Sequence, residues 1–409
     1  MATDSTYVIV GASLAGARAA QTLRDEGFEG RVVMIGSEKE HPYERPPLSK
    51  GYLIGEAKRE SLYVHPPQWY DEHNVELRLG ATVTSIDRGG HRVTLADGSQ
   101  LGYTKLLLTT GSTPRPLDVP GAELDGVLYL RTAGDSDRIR AAFQGASRVT
   151  VIGAGWIGLE AAAVASTGGA DVTVLEAAEQ PLLRVMGPKV AEVFTSLHRE
   201  HGVDLRTGVQ VTEITGSRHA TGVRLGDGSE VGADVIVVGI GITPNTGLAV
   251  AAGLEVDDGI RVDASLRSSD PDIYAAGDVA SAFHPRLGRH LRVDHWSNAL
   301  NQPQTAARAM LGQDVVYDRV PYFYTDQYDL GMEYCGHVEP DGYDQVIFRG
   351  DVPGREFIAF WMAGERVIGG MNVNVWDVAE KIEALVRDGR PVLMDRLADP
   401  DVPLDSVSL

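Results

Sequence analysis

The chain is poor in the residues that carry several common chemistries. One cysteine, Cys335, in 409 residues allows no intramolecular disulfide and no redox dithiol. The 11 histidines form no His-Glu-x-x-His motif and no Cys/His cluster of ligand spacing, so no metal is expected. Single histidines such as His73 and His198 read as surface residues. No apolar run reaches the roughly 18 residues that a membrane-spanning helix needs. Basic charge is scarce as well: 37 Lys and Arg against 57 Asp and Glu leave a net −20, which argues against nucleic acid or an anionic membrane as the main partner. The apolar N-terminus lacks the basic leading region of a signal peptide, and the expected location is the cytoplasm.

What is plentiful is glycine, and its placement carries the chemistry. Gly11-Ala-Ser13-Leu14-Ala15-Gly16 follows the apolar run Tyr7 to Val10, and Gly153-Ala-Gly155-Trp156-Ile157-Gly158 follows Val149 to Ile152. Both lead into alanine-rich helical stretches and then to an acid after a second apolar run, Glu38 in one case and Glu176 in the other. Such a turn aims backbone N–H groups and a helix N-terminus at a pyrophosphate, while the acid accepts from ribose hydroxyls. Two dinucleotides in one polypeptide point to electron traffic between two cofactors. Ser13 replaces the second glycine of the first motif, a mild change because its hydroxyl is small and can donate to phosphate. At Glu176 a carboxylate bonds a 2′-hydroxyl and repels a 2′-phosphate, so NADH is expected over NADPH, although Arg184 lies within reach of the adenosine.

The two halves are copies. Val75-Glu-Leu77-Arg-Leu-Gly80 returns as Val203-Asp-Leu205-Arg-Thr-Gly208, Asp97-Gly98-Ser99 as Asp227-Gly228-Ser229, and Gly111-Ser-Thr113-Pro114 as Gly241-Ile-Thr243-Pro244. The period is too long for a solenoid. Each unit reads as a βαβ start, a small β insertion with an Asp-Gly hairpin, and a last apolar strand, Lys105 to Leu108 or Asp234 to Val238. After the duplication come a strand and glycine turn ending at Asp278, then alternating segments such as Gln345 to Arg349 and Phe357 to Trp361. An amphipathic helix over Asn374 to Arg387 is predicted last.

Six ordered motifs span the chain: Gly11 to Gly16, Arg45-Pro-Pro-Leu-Ser-Lys50, Gly155-Trp-Ile-Gly-Leu-Glu160, Tyr274-Ala-Ala-Gly-Asp278, His295-Trp-Ser-Asn298 and Pro321-Tyr-Phe-Tyr-Thr-Asp-Gln327. With them the chain resembles the single-cysteine FAD-dependent ferredoxin reductases of the putidaredoxin reductase type, whose relatives include rubredoxin reductases and the reductases of ring-hydroxylating dioxygenases. The resemblance implies an α/β fold with two Rossmann-like dinucleotide-binding domains, glutathione-reductase-like, plus a C-terminal α+β domain. The implied boundaries are 1–113 and 245–320 for an FAD domain, 114–244 for an NAD domain and 321–409 for an interface domain. It also implies electron transfer from NADH through FAD to a small iron–sulfur ferredoxin that feeds a cytochrome P450 or another oxygenase.

Carried over by resemblance, the FAD residues are Gly11, Ser13, Leu14, Ala15 and Gly16 at the pyrophosphate, Ser37 and Glu38 at the ribose, and Val83 by the adenine. Arg45, Thr110, Gly111, Arg131, Asp278, Val279 and Trp296 complete that set. The NAD residues are Gly153, Gly155, Trp156, Ile157, Gly158, Glu160, Glu176 and Gly241. Lys50, beside the flavin, and Glu160, placed to pair with it, are the candidate catalytic residues. Arg286, Arg289, His290 and Arg292, just before Trp296, form the candidate basic patch for an acidic ferredoxin. Two other functions compete. An NADH oxidase or peroxidase would want a cysteine where Ser49 and Lys50 stand, and a flavoprotein like apoptosis-inducing factor would add targeting or interaction segments.

Overall fold

A computed structural model describes residues 5–409, in two compact units. The first comprises residues 5–45, Lys58–Thr113 and Ile242–Arg319; the second comprises Pro46–Ala57, Pro114–Gly241 and Val320–Leu409. The segments 114–244 and 321–409, expected as separate domains, thus fall largely in one unit, together with the short Pro46–Ala57 segment.

In the first unit, strand β1 (Thr6–Val10) leads through the glycine turn into helix α1 (Leu14–Asp25) and strand β2 (Arg31–Gly36). These strands sit in a five-stranded sheet in the order Ile273–Ala275, Lys105–Leu108, β1, β2, Val75–Leu79, parallel throughout. Val8, Ile9, Val32, Val33, Leu106 and Leu107 are fully buried. That agrees with strands that are apolar throughout rather than alternating, since helices cover both faces of such a sheet.

The second unit repeats the design with β3 (Arg148–Ile152), α2 (Trp156–Thr167) and β4 (Asp171–Leu175). Its parallel sheet runs Asp204–Arg206, β4, β3, Val235–Val238, Val127–Tyr129. The small antiparallel insertions match in atomic detail. Gly98 and Gly228 adopt φ of 84° and 86°. Asp97 and Asp227 each accept the N–H of the serine two residues on at 2.9 Å.

After β4 comes helix α3 (Leu183–Glu200), kinked at Gly187, where φ is 72°. The C-terminal part is a five-stranded antiparallel sheet whose first strand is β5 (Tyr322–Gln327). The last long helix is shorter than expected, Ala379–Asp388 rather than Asn374 to Arg387. Asn374 and Asp377 take left-handed φ values of 51° and 62°. The Asn374 side chain accepts from Gly331 N–H at 2.8 Å and donates to the Asp329 carbonyl at 3.1 Å, spending itself on a turn. Ile382 and Leu385 are buried as the apolar spacing anticipated.

Candidate functional site

Each glycine turn is built as a cradle. At Gly11, φ is +125° and a Cβ would run into the Thr109 backbone; at Gly16 it would strike the carbonyl oxygen of Gly11. Glycine is therefore required for the turn and for the approach of α1 to β1. Ser13 is the N-cap of α1 in extended conformation, yet its hydroxyl makes no capping bond and the first turn holds no acid. The positive end of the helix is left for an anion. Leu14 and Ala15 are buried under the turn.

The first unit holds the other expected FAD residues except Lys50 and Arg131, which fall in the second. Glu38 follows β2 and receives Arg45 Nη2 at 2.8 Å and the Tyr43 hydroxyl at 2.5 Å, while Arg45 Nη1 bonds that same hydroxyl at 3.1 Å. Burial works against the Arg45 charge, but the fields of Tyr43, Glu38 and Asp278 outweigh it and raise its pKa. Ser37 is exposed beside Glu38. Asp278 follows Gly277, whose N–H is held by Gln302 Oε1 at 3.0 Å, and Val279 is fully buried. Val83 is buried at the start of the small insertion sheet. Thr110 donates to the Asn245 carbonyl at 2.9 Å, and Asn245 N–H is held by the Gly111 carbonyl at 2.9 Å, so those residues clasp two chain crossings. Trp296 opens the helix Trp296–Met310, and its indole N–H donates to Glu44 at 3.1 Å. In the expected basic patch, Arg286 is bound to Asp318 at 2.8 Å, and Arg292 lies between Asp258 and Asp294, so acids offset much of its local field.

The second cradle, in the other unit, follows the glycine pattern fully. Gly153 has φ of +97° and Gly158 meets the Gly153 carbonyl as Gly16 meets that of Gly11. At Gly155 a Cβ would find no protein atom nearer than 3.9 Å, so the backbone there faces open space. Helix α2 likewise has no side-chain cap and no acid in its first turn. Glu176 braces the loop, accepting from Ala154 N–H at 2.6 Å and Ala178 N–H at 2.8 Å. Ile157 is 44% exposed at the helix start. Trp156 turns inward: its ring packs on Phe194 and Phe323, and its indole N–H finds no partner among the described residues. At Gly241, φ is 103° and an added Cβ would meet nothing within 4 Å, while its carbonyl accepts from Arg115 N–H at 2.9 Å. Arg131 precedes the helix Ala133–Phe143, whose Thr132–Asp135 capping box also takes the Arg131 N–H at 3.1 Å.

The expected catalytic pair is present within the second unit. The turn Pro46–Ser49 carries Lys50 to Glu160 on α2, with Nζ 2.5 Å from Oε1. The carboxylate is buried and the lysine mostly so, with side-chain exposures of 4% and 17%. Removing one partner of such a pair strands a charge, at a cost of about 3–5 kcal/mol.

Two partners of Glu160 were not anticipated, Ser49, which donates to Oε2, and Thr325, which donates to Oε1 at 2.5 Å, and Gln327 stands behind Thr325. The signal lay in β5, where Phe323, Thr325 and Gln327 alternate onto the buried face and two of the three are polar. His198, expected at the surface, is fully buried. It lies on the inner face of α3, where Gln327 satisfies it. Among the described residues no group of His, Cys, Asp and Glu could hold a metal, and no helix is long and apolar enough to cross a membrane.

Comparison with known proteins agrees with this architecture. Residues 5–303 match the pyridine nucleotide-disulphide oxidoreductase family and residues 322–408 match the reductase C-terminal domain. The ferredoxin reductase subunit of a 5,5′-dehydrodivanillate O-demethylase from Sphingobium sp. is 40% identical over 98% of both chains. Putidaredoxin reductase from Pseudomonas putida is 39% identical over 100% of this chain and 97% of its own. The solved structure of a covalent putidaredoxin reductase–putidaredoxin complex superposes with a TM-score of 0.94 at 38% identity, covering 99% of this chain and 98% of that one. With both cradles formed and a Lys–Glu pair instead of a dithiol, the chain belongs to the pyridine nucleotide-disulphide oxidoreductase family, among its ferredoxin reductases.

Proposed function

We propose that this protein takes hydride from NADH onto FAD and delivers electrons singly to a small iron–sulfur ferredoxin, which feeds a cytochrome P450 or a ring-hydroxylating oxygenase. The observation that carries the reading is the buried Lys50–Glu160 pair, in a chain whose one thiol lies elsewhere. FAD, when bound, supplies the conversion of a two-electron hydride into single-electron steps.

The residues divide the work. Gly11, Ser13 and Gly16, with the uncapped α1, offer N–H groups to the FAD pyrophosphate, and Glu38 offers carboxylate oxygens to its ribose. Gly153, Gly155 and Gly158 offer the same to NADH, and the open face of Gly155 leaves room for a phosphate. Lys50 supplies a positive charge for the flavin, with Glu160 fixing the ammonium. Val83, Arg131, Asp278, Val279 and Trp296 are proposed as further FAD contacts. NADH is preferred because the Glu176 carboxylate would meet a 2′-phosphate with repulsion. Names of the relatives support the acceptor: one is a ferredoxin reductase subunit of an O-demethylase, and another was solved with putidaredoxin.

Thiol peroxidase chemistry is disfavoured, because Cys335 is buried in a strand and its pKa is pushed up to about 12, chiefly by desolvation and then by Glu383 and Glu333. Stopped-flow mixing of the NADH-reduced protein with ferredoxin, against oxygen alone, tests the reading. Reduction of ferredoxin no faster than that of oxygen would sink it. NADH should be favoured at least tenfold over NADPH in kcat/KM, about 1.4 kcal/mol, and Glu176→Ala should erode that preference. Equal use of the two by the wild type would refute the role of Glu176. We place the protein in the cytoplasm, where NADH is formed.

A further inference from the structure

Behind Glu160 lies a run of buried polar side chains that a simple ion pair does not require. Thr325, Gln327 and His198 are each at most 1% exposed, in a region otherwise packed with Phe194, Leu197 and Phe323. Their hydrogen bonds are continuous: Thr325 Oγ1 to Glu160 Oε1 at 2.5 Å, Gln327 Nε2 to Thr325 Oγ1 at 3.2 Å, His198 Nε2 to Gln327 Oε1 at 2.9 Å, and the Tyr328 hydroxyl to His198 Nδ1 at 3.4 Å.

Donor and acceptor counting allows one direction. A carboxylate paired with an ammonium can only accept, so the single Thr325 proton points at Glu160 and its oxygen accepts from the Gln327 amide N–H. The Gln327 carbonyl is then turned to His198, whose Nε2 must carry the ring proton, leaving Nδ1 to accept from Tyr328. Nδ1 faces the Tyr328 hydroxyl, from which it accepts in the neutral ring and to whose oxygen it would have to donate in the protonated one, so counting fixes Nε2–H and burial decides the second proton. Burial, foremost, pushes the His198 pKa down to about 4, which agrees with a neutral ring. Polar groups placed here only to fill space would have been replaceable by apolar isosteres at little cost.

We propose that Thr325, Gln327 and His198 are positioning residues: a one-directional chain of donors, anchored at Tyr328, holds Glu160 Oε1 where it also receives the Lys50 ammonium. Ser49 fixes the other oxygen, so the carboxylate cannot rotate away from the lysine. The inference rests on the reading of Lys50 and Glu160 as the pair that acts on the flavin.

The holoenzyme tests it in two ways. With ¹⁵N-labelled histidine, long-range ¹H–¹⁵N spectra should show His198 as the neutral Nε2–H tautomer at pH 7; an Nδ1–H tautomer or an imidazolium overturns the chain. In single-turnover reduction by NADH, Thr325→Val keeps the shape, removes the hydroxyl and should lower the rate about tenfold with little change in apparent KM. Thr325→Ser should restore most of that loss, and in a Glu160→Gln background Thr325→Val should add almost nothing. Equal effects of Val and Ser, or full multiplicativity with Glu160→Gln, overturn the positioning role. Gln327→Met serves in the same cycle should Thr325→Val fail to fold. If Glu160→Gln alone leaves flavin reduction untouched, the reading of the pair falls, while the His198 tautomer still decides the chain.

Discussion

At the scale of single residues, the decisive quantity is the charge state of groups withdrawn from water. Lys50 and Glu160 are each other's main compensation, so Lys50→Met and Glu160→Gln should each slow flavin reduction by NADH, by about tenfold or more. The double variant should lose less than the product of the two, and a multiplicative loss in stopped-flow rates would show that they act independently. His198 gives a separate, thermodynamic signature. Its pKa is 6.5 when unfolded and about 4 when folded. Above pH 6.5 neither state binds the proton and the group costs nothing. Between 6.5 and 4 only the unfolded chain takes it up, so stability falls as pH falls, by about 3 kcal/mol in all. His198→Gln should remove this portion of the acid sensitivity. Urea midpoints at pH 7 and pH 4.5 read it, and an equal drop in both proteins would contradict the assignment.

At the scale of elements, the two βαβ turns separate what glycine does for the fold from what it does for the ligand. At Gly158 an added Cβ meets the Gly153 carbonyl, and the backbones of α2 and its turn must part. Gly158→Ala should destabilise the protein by about 1–3 kcal/mol and weaken NADH binding as well. At Gly155 the added Cβ meets nothing nearer than 3.9 Å. Gly155→Ala should therefore leave the melting temperature nearly unchanged while raising KM for NADH severalfold, because the methyl occupies the space a phosphate would take. Melting curves and NADH titrations distinguish the two cases, and a large loss of stability in Gly155→Ala would refute the division. The same contrast bears on Ser13, which stands where Gly155 stands in the second copy and whose hydroxyl, making no capping bond, is proposed to face a phosphate.

At the scale of the whole molecule, the −20 charge sits beside two local concentrations of positive potential, the uncapped starts of α1 and α2. Two dinucleotides would complete those ends, so cofactor binding is coupled to stability. Stripping FAD should lower the melting temperature, and FAD returned at 100 times its Kd should recover about 2.7 kcal/mol. Differential scanning calorimetry of the apo and reconstituted protein checks this; identical transitions would place FAD outside the first cradle. Electrostatic steering of an acidic ferredoxin calls for more than the patch around Arg289, since Asp318, Asp258 and Asp294 already engage Arg286 and Arg292.

Periodicity and glycine placement alone determined much of the architecture: the strands β1 and β3, the helices that follow them, both Asp-Gly turns and the pairing of two similar halves. These depend on interactions within a few residues, such as left-handed φ at Gly98 and Gly228 and apolar runs bound for covered parallel sheets. Resemblance brought Lys50 and Glu160 together, although 110 residues separate them. Tertiary structure decided the rest. The helix expected from Asn374 begins only at Ala379, because Asn374 satisfies the backbone of Gly331, a residue distant in sequence. The Trp156 ring packs inward, since Phe194 and Phe323 arrive from other elements to meet it. His198 can be buried because Gln327 of β5 meets it across the packing of α3, and that burial pushes its pKa down although the Gln327 bond works the other way. A residue's own pattern fixes which face it occupies; which partner waits on that face, and so whether a polar group can be buried, is fixed only when distant segments pack together.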